Sequence, residues 1–328
     1  MNLNKLIFFS IMTASTLITM SANNWLGMWM GMEINLMSFI PIIHMKKNKK
    51  ASQGCMMYFL SQSIGSIVLL FSITMNKFIM YNIMEDFSQM MMTISLMIKM
   101  AGAPFHMWLP EMMTCLDWKN CFLLMTWQKL APLTILSFNI NNMMSINILL
   151  SAMIGAIGGL NQTSMRKIMA YSSINHLSWM MMMMMMEKTW YIYMLIYSSI
   201  MMMMLLLLNK KNIYFLNQIT SYKLEMMEKI TIMTLMMSMG GMPPFMGFIP
   251  KWMVMQNMIN SQLWMIMLIM VTMSLITLFY YIRMFFPMLM IYNTKIKWTK
   301  TQLNNNMMIT AIFSMNLMLP LILMLPMF

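Results

Sequence analysis

Apolar stretches of about 18 to 22 residues recur along the whole chain, separated by short segments of Lys, Asn, Asp, Glu and Ser. They fall near residues 3–21, 25–45, 55–75, 87–103, 121–139, 146–164, 168–186, 190–208, 229–249, 261–286 and 306–326. A helix of that length crosses the hydrocarbon core of a bilayer, and a helix satisfies its own backbone there. The pattern therefore predicts an all-α, polytopic transmembrane helical bundle of about 11 spans.

Two of these spans cannot be unbroken helices. The stretch from Gly240 to Trp252 reads Gly-Gly-Met-Pro-Pro-Phe-Met-Gly-Phe-Ile-Pro-Lys-Trp, and Pro243 and Pro244 strip backbone donors from the middle of an apolar run. The pair Pro104-Phe105 with Pro110 repeats the pair Pro244-Phe245 with Pro250, and a charge follows one place later in each, Glu111 and Lys251. The spacing predicts breaks at Ala103–Pro104 and at Met242–Pro244. Irregular backbone at membrane depth is tolerated only against protein or a water-filled cavity. Paired broken helices five spans apart are the signature of inverted repeats in transporters. The expected organisation is a single transmembrane domain over 1–328, holding two inverted five-helix repeats, about 1–139 and 146–286, and a C-terminal helix at 306–326.

Composition sharpens this picture. Hydrophobic residues make up 60% of the chain, charged residues only 9%, and mean hydropathy is +0.67, which excludes an ordinary soluble domain. Methionine supplies 63 residues, and Lys outnumbers Arg 19 to 2. Such usage reflects an AT-rich genome in which an isoleucine codon is read as methionine, as in animal mitochondria. The Met runs at 180–186 and 201–204 are then flexible apolar filler and not a copper site. Cys55, Cys115 and Cys121 lack metal-binding spacing and imply no disulfide framework. No cleavable signal peptide is expected, since the first apolar segment lacks a small-residue cleavage site.

The net charge of +13 points to anionic lipid and to membrane orientation, and not to nucleic acid. In the predicted topology Lys46, Lys47, Lys49, Lys50, Arg166, Lys167, Lys210, Lys211, Lys223, Lys295, Lys297 and Lys300 share the side of the N-terminus. The opposite loops carry Lys77 and Lys188 beside Glu85, Asp86 and Glu187. By the positive-inside rule the N-terminus lies in the cytoplasm-equivalent compartment, with the C-terminus opposite after an odd number of spans.

Glu33, Lys99, Lys129 and His176 lie well inside spans, and together with Lys251, which directly follows the second break, they form a carboxylate, three amines and an imidazole at membrane depth. Each isolated charge costs several kcal/mol at the bilayer centre, so such groups mark ion or proton pathways. Desolvation disfavours an ammonium and a neighbouring carboxylate favours it, and a lysine held between those influences can exchange protons. Pro132, three residues after Lys129, frees a backbone carbonyl near that amine. The competing readings are specific. Glu33 paired with a lysine is a structural ion pair, Lys251 snorkels to the headgroups, and His176 is a satisfied core imidazole. His106, just after Pro104, stands as a further relay candidate. His44 and Lys46 belong at a span end, and Glu111 and Asp117 in a solvated loop after the first break. No Walker loop, dinucleotide fingerprint, haem-binding His pair or iron–sulfur Cys cluster is present.

Several segments together carry a family resemblance. They are Trp29 to Leu36 (Trp-Met-Gly-Met-Glu-Ile-Asn-Leu), Lys99 to Trp108 (Lys-Met-Ala-Gly-Ala-Pro-Phe-His-Met-Trp), and Thr126 to Pro132 (Thr-Trp-Gln-Lys-Leu-Ala-Pro). Ala170 to His176 (Ala-Tyr-Ser-Ser-Ile-Asn-His), Gly240 to Phe245, and Lys251-Trp252 complete the set. In that order, over the whole chain, they resemble mitochondrial NADH dehydrogenase subunit 2. That family is the smallest antiporter-like core subunit of respiratory complex I, and length and methionine content resemble its shortened, arthropod-like animal form. The resemblance implies a mitochondrial inner-membrane protein with its N-terminus in the matrix and its C-terminus in the intermembrane space. It implies partnership with other core and accessory subunits of the membrane arm, and with phospholipid including cardiolipin. It implies no cofactor in this chain, with NADH, FMN, iron–sulfur clusters and ubiquinone bound by partner subunits. Carried over by motif, Glu33 pairs with Lys99 on the first broken helix, Lys129 is the central lysine, His176 a polar axis residue, and Lys251 the lysine of the second broken helix. The expected function is proton translocation coupled to electron transfer in other subunits. Two rivals remain: a subunit of a cation/proton antiporter, and a passive membrane-arm scaffold.

Overall fold

The computed structural model describes residues 3–45, 48–78, 82–221, 226–290 and 306–317. The expectations for Lys46, Lys47, Lys223, Lys295, Lys297 and Lys300, and for the last span beyond residue 317, lie outside the described residues. The chain divides into two compact units, Met1–Ser151 and Ala152–Phe328.

The first unit contains α1 (Leu3–Ser21), α2 (Trp25–His44), α3 (Lys49–Phe78), α4 (Asn82–Met100), α5 (Trp108–Cys115), α6 (Trp118–Met125) and α7 (Trp127–Ser137). The boundary between units falls within α8 (Met143–Leu160). The second unit continues with α9 (Met165–Met185), α10 (Trp190–Lys211), α11 (Leu216–Ser221), α12 (Met226–Gly240), α13 (Phe248–Asn260), α14 (Trp264–Met290) and α15 (Asn306–Asn316). Among the described residues six helices, α1, α2, α3, α8, α10 and α14, are individually long and apolar enough to cross a membrane.

Polar residues enter these helices by donating back to their own backbone. Ser15 bonds the Met12 carbonyl at 2.7 Å, Thr19 the Thr16 carbonyl at 2.7 Å, and Ser95 the Met92 carbonyl at 2.7 Å. Each hydroxyl is thereby satisfied in a segment that offers no water. On the outer faces large apolar side chains stay exposed, among them Leu17 at 65%, Met265 at 79% and Phe279 at 61%; hydrocarbon is the medium that suits them.

Both broken helices stop in the same way. At the end of α4, Gly102 N–H bonds the Met97 carbonyl (2.8 Å) and Ala101 N–H the Ile98 carbonyl (3.3 Å), with Ala101 left-handed at φ 57°. At the end of α12, Met242 N–H bonds the Met237 carbonyl (3.2 Å) and Gly241 N–H the Ser238 carbonyl (3.0 Å), with Gly241 at φ 80°. This crossed bond pair is the Schellman motif, which absorbs the carbonyls a helix end orphans. Pro104, after a cis Ala103–Pro104 bond, lies between α4 and α5, and Pro243 and Pro244 lie between α12 and α13. The helices end three to four residues before the prolines, because the left-handed residue, and not the proline, turns the chain.

Two sequence expectations change. The segment from 121 to 139 is not one helix but two, α6 and α7, separated at Thr126, whose backbone (φ −115°, ψ −70°) is distorted from regular helical values. Thr126 Oγ1 bonds the Phe122 carbonyl at 2.7 Å and its N–H bonds the same oxygen at 3.0 Å, so the first helix is closed there and the second begins at Trp127. The region after the first break is helix α5 and not a loop. Glu111 is exposed on it, while Asp117 sits half-buried just before α6.

In the first unit α7 packs against α1, α2 and α4, and α3 against α2, α4 and α5. Gly31 lets α2 lie on α1, since a Cβ there would come within 2.4 Å of Thr19 Cγ2. The second unit is built around α9, which is buried almost all round; Met180 to Met184 are each 0–1% exposed. The Met run thus fills a core, where an unbranched, soft side chain adapts to irregular neighbours.

Candidate functional site

In the first unit the packing of α2, α4 and α7 brings three of the sequence-derived residues into one region. Lys99, in the last turn of α4, is 6% exposed, and Lys129, in the first turn of α7, is 2% exposed. Lys99 Nζ lies 3.7 Å from Glu33 Oε1 on α2. Lys99 and Lys129 line a common cavity with Tyr58, Gln62, Trp108 and Gln128. Its room for a water centre is about 10 Å³, near the space one water needs.

The walls of this cavity are hydrogen-bonded. Gln62 Nε2 donates to the Lys99 carbonyl at 3.1 Å, and Trp108 Nε1 to the Ile98 carbonyl at 3.1 Å, so the last turn of α4 is held from two sides. Tyr58 donates its hydroxyl to Gln128 Oε1 (3.1 Å), and Gln128 Nε2 donates to Asn35 Oδ1 (3.0 Å), linking α3, α7 and α2. Gly65 faces the lysine stem: a Cβ there would stand 2.9 Å from Lys99 Cγ.

In the second unit Lys251 is 4% exposed, at the start of α13. Its Nζ donates to the carbonyl of Gly240, the last residue of α12, at 2.7 Å and lies 5.8 Å from the centre of the Trp179 ring. The helix C-terminus and the ring face both favour a cation at that point. Snorkelling does not describe this side chain, which is folded back on the break. His176, on α9, is 6% exposed; its Nδ1 and the Tyr193 hydroxyl are 2.9 Å apart, and its ring lies 4.8 Å from that of Tyr197. His106 is half-buried in the first break, with Nδ1 3.1 Å from the Pro104 carbonyl oxygen.

The first unit thus holds two buried amines, one of them beside a carboxylate, and the second a buried amine on its own helix break and a buried imidazole on α9. The family described as NADH:quinone oxidoreductase/Mrp antiporter, TM, matches residues 22–277. NADH-ubiquinone oxidoreductase chain 2 of Anopheles gambiae is 42% identical over 311 residues, covering 92% of this chain and 91% of the relative. The chain belongs to the NADH-ubiquinone oxidoreductase chain 2 family.

The chain 2 protein of Locusta migratoria is likewise 41% identical over 323 residues, covering 96% of this chain and 94% of the relative. The fold matches a chain of respiratory complex I from Thermus thermophilus with bound Aureothin, at a TM-score of 0.82 and 16% identity, over 95% of this chain and 76% of that one. The expected fold class and the expected role as a membrane subunit of NADH:ubiquinone oxidoreductase are both met.

Within this chain 2 fold the structure adds residues that the sequence reading passed over. Tyr58, Gln62, Gln128 and Asn35 support the two lysines of the first unit. Their signal was present, as amides and a phenol inside apolar spans, but such residues are common enough to escape attention beside a charge. Arg283 on α14 donates to the carbonyls of Leu160 and Gln162, the latter at 3.1 Å, and closes the C-terminal end of α8. Glu228 is 2% exposed in the first turn of α12, with Oε1 2.7 Å from Lys211 Nζ. It stood one residue outside the predicted span, where a glutamate reads as a loop charge.

Proposed function

We propose that this chain carries protons across the inner membrane through Glu33, Lys99, Lys129, His176 and Lys251, driven by electron transfer in partner subunits of complex I. The observation that carries the reading is the shared cavity of Lys99 and Lys129, with Glu33 beside the first amine. A proton arriving on one amine raises the electrostatic cost of a proton on its neighbour, so charge moves stepwise along the series. Glu33 offsets the positive charge on Lys99, and its release or capture of that amine sets whether Lys129 holds a proton. Pro132 leaves the Gln128 carbonyl without its helical donor, a polar group beside the same cavity. His176 and Tyr193 continue the series in the second unit, and the Gly240 carbonyl receives the final ammonium on Lys251.

The chain supplies no redox chemistry in this reading: NADH, FMN, iron–sulfur clusters and ubiquinone belong to partner subunits. Two five-helix repeats of opposite topology underlie it, supported by the identical Schellman ends of α4 and α12. The N-terminus lies in the matrix and the C-terminus in the intermembrane space, with about 11 spans between. Arg166, Lys167, Lys210 and Lys211 support that orientation, because the Arg166 guanidinium lies 4.4 Å over the Tyr214 ring and Met165 N–H bonds the Tyr214 carbonyl, placing these cations at one end of the second unit. The same basic ends suit cardiolipin headgroups.

Lys129→Met in assembled complex is the test. The substitution keeps much of the volume and removes the charge, and protons moved per NADH oxidised should fall while assembly persists. A passive scaffold would pump at the wild-type ratio; an antiporter subunit would show Na⁺-dependent transport without NADH.

A further inference from the structure

We propose that Glu228 is the carboxylate through which protons reach the second unit, and that a buried hydroxyl stripe on α12 conducts them to Lys251. The inference rests on the proton-carrying reading of Lys251 above.

Glu228 opens α12 and Lys251 closes on its far end, so one helix joins a buried carboxylate to a buried amine. The twelve helical steps from Glu228 to Gly240 span about 18 Å at 1.5 Å each. Between them stand Thr231, Thr234 and Ser238, exposed by 2%, 8% and 0%. At 100° per residue, Glu228, Thr231, Thr234 and Ser238 fall within about a third of the helix circumference. Successive members are about one turn apart, roughly 5 Å, a gap that a single water bridges.

Local needs explain part of this stripe. Thr231 donates to the Glu228 carbonyl at 2.9 Å, Thr234 to the Thr231 carbonyl at 3.1 Å, and Ser238 to the Leu235 carbonyl at 2.7 Å. A hydroxyl so bonded still presents its oxygen lone pairs, and it turns about one bond to donate elsewhere. Helix satisfaction does not account for the alignment of all three with an acid at one end and an amine at the other.

Two further observations point the same way. Lys211 and Glu228 sit 2.7 Å apart with side chains 21% and 3% exposed, so the amine stands at the rim and the acid behind it. A buried carboxylate whose cationic partner reaches outward is a natural point of capture: separation of the pair removes a countercharge from Glu228 and favours its taking a proton from the basic end of the unit. At the other end, Asn316 on α15 is 1% exposed, and its side-chain amide has no hydrogen-bond partner among the described residues. Its carbonyl accepts from Met246 N–H, which fixes it beside the second break. An amide with donors and acceptor free at that place suits a water-borne proton relay.

The step balances without a co-reactant. Glu228 binds a proton from the aqueous side and releases it inward. Each hydroxyl accepts one proton while releasing its own, and the neutral amine of Lys251 becomes an ammonium that donates to the Gly240 carbonyl.

The experiment measures protons per NADH in sealed inner-membrane vesicles, with assembled complex quantified on native gels, for Glu228→Gln, Glu228→Asp, the double variant Thr231→Val/Thr234→Val, and Lys251→Met. Glu228→Gln and the double variant should lose protons per NADH in assembled complex, Glu228→Asp should recover them, and Lys251→Met should lose them too. A purely structural Glu228 would lower the amount of complex and leave the ratio of what remains unchanged. If Lys251→Met lowers the ratio while Glu228→Gln and the double variant keep it, the α12 route is wrong and the lysine reading stands. If Lys251→Met keeps the wild-type ratio, the underlying reading fails. Should Glu228→Gln not assemble, the near-isosteric valine pair decides alone, and a wild-type ratio there overturns the route.

Discussion

Lys251 Nζ reaches back 2.7 Å to the carbonyl of Gly240, tying the start of one half-helix to the end of the other. The contact depends on the neighbouring glycine. Gly241 holds φ 80°, and a Cβ on it would lie 2.7 Å from Lys251 Cδ and 3.0 Å from Nζ. Gly241→Ala therefore meets both backbone strain and a displaced amine, and should cost about 1–3 kcal/mol. A lowered thermal midpoint of the isolated complex, with a reduced pumping ratio, is the expected outcome; unchanged values of both would sink it.

The pairing of Glu33 with Lys99 predicts non-additive loss. Glu33→Gln leaves the buried amine without a carboxylate, and Lys99→Met removes the amine itself. Each should lower coupled pumping, and the double variant should fall no further than the worse single one. Losses that simply add would mean the two residues act separately.

The proton-carrying role proposed for Lys129 is tested by a substitution that keeps its charge. Lys129→Arg keeps a cation in the cavity, but guanidinium does not surrender its proton. Turnover should drop by about a hundredfold or more, the low end of what a proton-transfer group contributes. Wild-type turnover with arginine would assign Lys129 a fixed structural charge.

Gly65→Ala probes the lysine stem without touching an ionisable group. The new methyl would stand 2.9 Å from Lys99 Cγ and 3.3 Å from the Ser95 carbonyl oxygen. Cγ is a mid-stem atom of a buried side chain, so the methyl shifts the whole stem, costing about 1–3 kcal/mol of stability and lowering the pumping ratio of the complex that assembles. Native-gel yield and proton flux measured on the same membranes distinguish the two effects.

Orientation is open to labelling. A cysteine placed near Lys49, at the start of α3, should react from the matrix face, as should one near Asn293. Modification of either from the intermembrane side would reverse the assigned topology.

Much of this molecule follows from residue order alone. Apolar runs at bilayer length impose helices, because hydrocarbon leaves the backbone no other partner. Prolines at 104, 243 and 244 marked the two breaks, and the charges at 33, 99, 129 and 251 were conspicuous against so apolar a background. Other features were illegible for a physical reason. Thr126 ends α6 through two bonds to one carbonyl, a geometry that no periodicity announces. Ala101 takes a left-handed turn that its own side chain disfavours, while the glycine one place later does not.

The sequence by itself determined the fold class, the family and the identity of the charged residues, because each depends on local composition or on motif. Tertiary structure alone decided that Lys99 and Lys129 share one small cavity, that Lys251 folds onto Gly240, and that Glu228 is a buried member of an ion pair with Lys211. These are contacts between residues 11 to 30 positions apart, made by helices that pack on neighbours. Hydrophobic pattern says which residues leave water; only the packing of one helix on another says which polar groups meet once they have left it.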